Sequence, residues 1–161
     1  MPMLEIAEPV GDLLGLNPAE HLLVWALRKM VAGRGDCPMI VHEFTTHCGD
    51  AAAEVLTTFA AFLSAIGHAS RRRLQIGFPG CLDLTGDERQ LLALIAAGQA
   101  GDRALLQSHL RWLVRSDYRA TVTLAVDTLG RLLAWHDLVL SEAWSVQSVP
   151  CPRERPLSAI A

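Results

Sequence analysis

The run His42-Glu43-Phe44-Thr45-Thr46-His47-Cys48 gathers imidazoles, a carboxylate and a thiol, the side-chain types that ligate metals and move protons. The spacing works against that chemistry. A zinc-binding H-E-x-x-H helix presents its histidines four apart on one face. Here they stand five apart, which turns one roughly 140° from the other around a helix axis. Cys37 and Cys48 are nearly in register on a helix but about 16 Å apart along it, too far for a disulfide, which needs Cα atoms within roughly 7 Å. Both read as small buried hydrophobes in a seam with Val41 and Phe44, and Glu43 with His47 as a surface pair. The spacing implies no metal and no cofactor.

Cys81 follows Gly77-Phe78-Pro79-Gly80 in a turn just before a helix start, with Arg71, Arg72 and Arg73 nearby. Those arginines could stabilise a thiolate, while Asp83, Asp87 and Glu88 oppose them. Cys81 is therefore the reactive-thiol candidate, with Cys48, His47 or His68 as neighbours that folding would have to supply. The arginine run is the one dense positive patch. Behind a helix C-terminus it offsets the dipole; on an irregular loop it is a candidate site for phosphate or carboxylate, which guanidinium groups bind bidentately. Asp87 and Glu88 read as helix-start acidity. There is no G-x-S-x-G elbow, P-loop or G-x-G-x-x-G, so no hydrolase or nucleotide-binding signature is present.

The elements that position these residues are legible from capping and period. Leu occurs 26 times and Ala 22 times, against 17 for Val plus Ile, a balance that favours helices. Asn17, Pro18 and Glu20 form a capping box that starts a helix ending at Gly33, with Arg28 and Lys29 facing the C-terminal dipole. A second helix runs from near Asp36 or Cys37 to Cys48. Asp50 caps a third, Ala51 to about Ile66, stopped by Gly67, whose small outer residues make it the candidate centre of the bundle. Residues 68–84 form a long irregular connection. Thr85 and Glu88 make a second capping box for a helix to about Ala97, and Asp102 caps another to Val114 or Arg115. The last, capped by Ser116 or Asp117, runs from Tyr118 to roughly Trp144, with an apolar arc broader than one core requires and Asp127 with Arg131 as its solvent pair. Trp25, Trp112 and Trp135 read as core, and Trp144 as the exposed tryptophan.

These readings give an all-α, single-domain bundle of about six helices: an N-terminal extension at 1–16, a helical domain at 17–144 and a flexible tail at 145–161. A formal charge of −3 at pH 7 lacks the positive field of a nucleic-acid binder. No stretch reaches the roughly 20 apolar residues of a membrane span. The N-terminus has no basic, secretory-type start, and four cysteines without disulfide-type spacing point to a reducing, cytoplasmic setting. The block Arg71 to Asp102, with Arg-Arg-Arg-Leu, Pro-Gly-Cys and Gly-Asp-Glu leading into Leu-Leu-Ala-Leu-Ile-Ala-Ala-Gly-Gln-Ala-Gly-Asp, resembles a family of small helical alphaproteobacterial proteins of unassigned function. That resemblance spans about a fifth of the chain; it implies a bacterial cytoplasmic protein and carries over no functional residue. The surplus apolar surface points to a protein-interaction or regulatory module that forms a homodimer or binds a protein partner. Thiol- or metal-dependent activity at Cys81 and anion sensing at Arg71 to Arg73 are the alternatives.

Overall fold

The computed structural model describes residues 12–141 and Trp144. They form six α-helices: α1 (Pro18–Val31), α2 (Pro38–Cys48), α3 (Ala52–Ala69), α4 (Gly86–Ala100), α5 (Arg103–Leu113) and α6 (Arg119–Trp135). Short 3-10 turns lie at Asp12–Gly15, Gly49–Ala51 and Ser116–Tyr118. Among the described residues the sole strand-like pairing is a bridge between Ser70 and Val114. The chain is all-α, as the leucine and alanine stripes require.

Both capping boxes form. Asn17 accepts from the Glu20 N–H while the Glu20 carboxylate accepts from the Asn17 N–H, and Thr85 and Glu88 repeat the pattern at α4. Asp102 caps α5 through the Leu105 N–H. Other boundaries moved. α3 has no side-chain cap from Asp50, follows a 3-10 turn, and continues through Gly67 to Ala69; an exposed glycine in helical geometry costs only about 1 kcal/mol, less than the packing of Ile66 and Ala69 returns. α6 stops at Trp135, nine residues short of the expected end. There Leu138 N–H donates to Leu133 O and Asp137 N–H to Ala134 O, a Schellman closure that puts Asp137 at φ 58°.

The centre of the bundle is α4 rather than α3. Every residue from Leu91 to Ala97 is buried, so α4 has no solvent face along that stretch. It packs on α5 and α6, and α3 packs on α2 and α6. Leu23 and Leu27 of α1, Phe59 and Phe62 of α3 and Leu91 and Ile95 of α4 close around one small interior gap. α4 and α6 cross at two glycines: a Cβ on Gly98 would lie 2.6 Å from Val126 Cγ1, and one on Gly130 3.2 Å from the Gln99 backbone nitrogen.

The inward seam of α2 is Ile40, Phe44 and Cys48; Val41 is exposed and Cys37 half-buried. The span Pro38–Ala69 is long and apolar enough by composition to cross a membrane, more than the sequence alone indicated. It is not one rod, because the rings of Phe44 and Phe59 stack at 6.5 Å, whereas fifteen residues of continuous helix would hold them about 22 Å apart. The chain reverses at Gly49 (φ 57°), and the Phe face is spent on the core.

Candidate functional site

The irregular connection from Ser70 to Thr85 is held by two acid–base pairs at the N-terminus of α4. Arg28, read from the sequence as a charge offsetting the dipole at the end of α1, is 3% exposed. Its Nε donates to Glu88 Oε1 at 2.7 Å and Nη2 to Oε2 at 2.9 Å. The remaining donors reach loop carbonyls: Nη1 to Cys81 at 2.5 Å and, more weakly, Phe78 at 3.4 Å, and Nη2 to Asp83 at 2.7 Å. Glu88 also accepts from the N–H groups of Gly77 and Thr85. All five N–H groups of the guanidinium and both carboxylate oxygens are thus engaged. Burial pushes the Glu88 carboxyl up, but the bonds from Arg28, Thr85 and Gly77 outweigh it and hold the group below its ordinary range. The bond to Glu88 likewise raises Arg28. This is a clamp with no capacity left for a substrate.

Asp87 makes the second pair. Arg72 Nη2 and Nη1 meet its two oxygens at 2.6 and 2.8 Å, and the Gln75 N–H donates at 2.6 Å. Burial again opposes ionisation, and Arg72 with the Gln75 N–H reverses that, leaving Asp87 below the ordinary carboxylate range. Asp87 and Glu88 are therefore anchors of the loop, beyond their place at a helix start. Of the anion-binding candidates, Arg72 is committed to Asp87 while Arg71 and Arg73 are exposed. A hollow of about 250 Å³ beside Arg72 is lined by Asp87, Gln90 and Trp112, so a carboxylate already neutralises the cation that faces it.

Cys81 is half-buried; its Sγ lies 3.7 Å from Asp83 O, and its carbonyl is held by Arg28. Cys48 is buried at the inner end of α2, and burial raises its thiol. His68 stays on α3, its Nδ1 against Ser64 O. Among the described residues no three His, Cys, Asp or Glu side chains converge on a point that could hold a metal. His47 turns to a cleft with His21 and Glu43 instead, and no hydrogen bond joins Glu43 to His47.

Several determinants lay outside the sequence reading. Glu20 accepts from Ser141 N–H as well as closing its capping box, and Gln99 holds the 138–141 segment from both sides, donating to Leu138 O and accepting from Leu140 N–H. His109 is fully buried, with Nδ1 against Gln90 Oε1 at 3.3 Å and Nε2 unpartnered; burial lowers its pKa. A polar residue three positions after Leu106 and four before Leu113, on the face of Leu106 and Leu110, was the available signal.

The tryptophans trade places. Trp144 is buried, while Trp112 is 50% and Trp135 83% exposed. Inward, α6 presents Val122, Val126, Leu129 and Leu133. Outward it presents Ala120, Thr121, Leu124, Thr128, Arg131 and Trp135. Leu124 is 64% exposed on this face. Asp127, expected to pair with Arg131, binds Arg103 at 2.8 Å, and Arg131 reaches only the Asp127 carbonyl. No family model, curated protein or solved structure matches the chain.

Proposed function

We propose that this chain is a protein-interaction module that self-associates as a two-fold dimer through the outer face of α6. The observation that carries this reading is the pair Trp135 and Leu124, both well over half exposed on one face of one helix. Large side chains of this kind supply the buried anchors of interfaces, and their exposure in a free monomer forgoes about 1.5–3 kcal/mol each. The face is also self-complementary in shape. Thr121 and Trp135 each lie seven residues from Thr128, so antiparallel packing about Thr128 lays each tryptophan over the Ala120 and Thr121 of the other copy. A two-fold axis demands that matching of bulky to small. The free thiols of Cys37, Cys48 and Cys81 support a reducing, cytoplasmic setting, and the family resemblance a bacterial one.

Light scattering across a concentration series tests the proposal. The mass per particle should rise from 17.5 kDa to twice that value, and Trp135→Ser with Leu124→Ser should hold it at the monomer without lowering the thermal midpoint of the monomeric fold. A wild-type protein that remains monomeric at every concentration removes the proposal.

A further inference from the structure

α1 and α2 do not close on one another along their outer edges. Their inward seams, Leu23, Ala26 and Leu27 on one and Ile40, Phe44 and Cys48 on the other, belong to the core. The next stripe of each helix, His21, Leu22 and Trp25 on α1 and Met39, Glu43 and His47 on α2, lines an open cleft of about 380 Å³. That volume lies in the range of small-molecule sites. The lining has two characters. Leu22, the Trp25 ring and the Met39 thioether give it an apolar part suited to an aromatic ring, since an indole stacks on flat partners and a thioether packs well against them. His21, Glu43 and His47 give it a polar part. None of those three side chains has a hydrogen-bond or ion-pair partner elsewhere among the described residues. Glu43 is the only carboxylate of the lining, which holds no lysine or arginine. Lys29, whose Nζ lies 5.5 Å from the Trp25 ring centroid, does not line the cleft.

We infer that the α1–α2 cleft binds a small aromatic amine, its ring against Trp25 and Met39 and its ammonium on the Glu43 carboxylate. Charge selects this class. A free, half-buried carboxylate penalises an aromatic acid and rewards a cation, and the imidazoles of His21 and His47 add hydrogen-bonding nitrogens to the same lining. The α6 face takes no part in the cleft, so this site stands or falls independently of dimerisation.

Three probes share one ring and differ in charge: tryptamine, indole and indole-3-acetate. Titration of each into the full-length ¹⁵N-labelled protein at neutral pH, followed by amide shifts, gives both affinity and location. Tryptamine should bind roughly tenfold tighter than indole-3-acetate, the ratio expected of one charge-assisted hydrogen bond, with shifts centred on 21–25 and 39–47. Glu43→Gln should bring tryptamine down to the affinity of indole and leave indole unchanged. Met39→Ala, at an exposed position, should weaken all three probes. Binding of none of them, equal or reversed preference between amine and acid, shifts centred elsewhere, or a Glu43→Gln protein that keeps the preference would each overturn the inference.

Discussion

At the scale of single residues, the protein depends on Arg28 and Glu88 meeting where neither charge is stable alone. Removing one partner of a buried pair strands the other, which typically costs about 3–5 kcal/mol. Urea unfolding of Glu88→Gln should show a loss of that order. Arg28→Lys should fail to restore stability, because a single ammonium cannot reach Glu88 and the carbonyls of Cys81 and Asp83 together. Asp87→Asn should cost less, about 1 kcal/mol, because the Arg72 side chain is 61% exposed and solvent already screens it. Gly77→Ala tests the same clamp from the loop side, since a Cβ there would sit 2.8 Å from Arg28 Nη2. The sequence displayed half of this arrangement. Thr85 and Glu88 announce a helix start, but nothing local pairs Glu88 with a residue sixty positions earlier. His109 adds a pH dependence. Its pKa is lowered in the fold, so below the ordinary histidine value of about 6.5 the unfolded chain binds the extra proton first. Stability should be full above that pH and fall as pH drops toward the folded-state value, and His109→Gln should flatten the slope between pH 7 and 5. The carboxylates of Asp87 and Glu88 add a separate contribution to stability, present above their ordinary range and lost as pH falls through their depressed values.

At the scale of elements, caps were more legible than ends. Asn17, Thr85 and Asp102 each start the helix they announce, because side-chain capping is local chemistry. The end of α6 carries no glycine or proline signal: an aspartate takes the left-handed position, and the closure is completed by Leu138 folding back toward Leu133. A non-glycine residue there costs about 1–2 kcal/mol. Asp137→Gly should therefore raise the thermal midpoint by the equivalent of roughly 1 kcal/mol. The α4–α6 crossing should respond in the opposite sense. Gly98→Ala forces a Cβ onto Val126, an overpacking that costs about 1–3 kcal/mol, and adding Val126→Ala should give a total smaller than the sum of the two single changes. The central position of α4 was hidden for a related reason. A helix buried all round along Leu91 to Ala97 has no strong amphipathic stripe, whereas α3, with its alternating Phe and Ala faces, draws the eye as a core element.

For the whole molecule, the helical class and approximate helix number follow from composition and period, while the outer surface does not. Leu124 and Trp135 share the spacing of core residues, and only the placement of α3 and α4 against Val122, Val126, Leu129 and Leu133 reveals which part of α6 is left over. Trp144 looked exposed because it falls beyond the periodic run; it is buried with Leu138 and Leu140. The N-terminal extension likewise divides, since Leu13 and Leu16 pack on the core and Leu13 N–H bonds Leu82 O, while 1–11 and the tail assigned to 145–161 lie outside the described residues. The central functional claim is the pairing of two α6 helices about Thr128, an exposed position whose hydroxyl bonds only the Leu124 carbonyl. Oxidation of Thr128→Cys, followed on a non-reducing gel beside the wild type and Ala60→Cys on the exposed side of α3, tests it most directly. Rapid, near-complete covalent dimer from Thr128→Cys alone is the expected result; cross-linking no faster than Ala60→Cys or the wild type would contradict the claim.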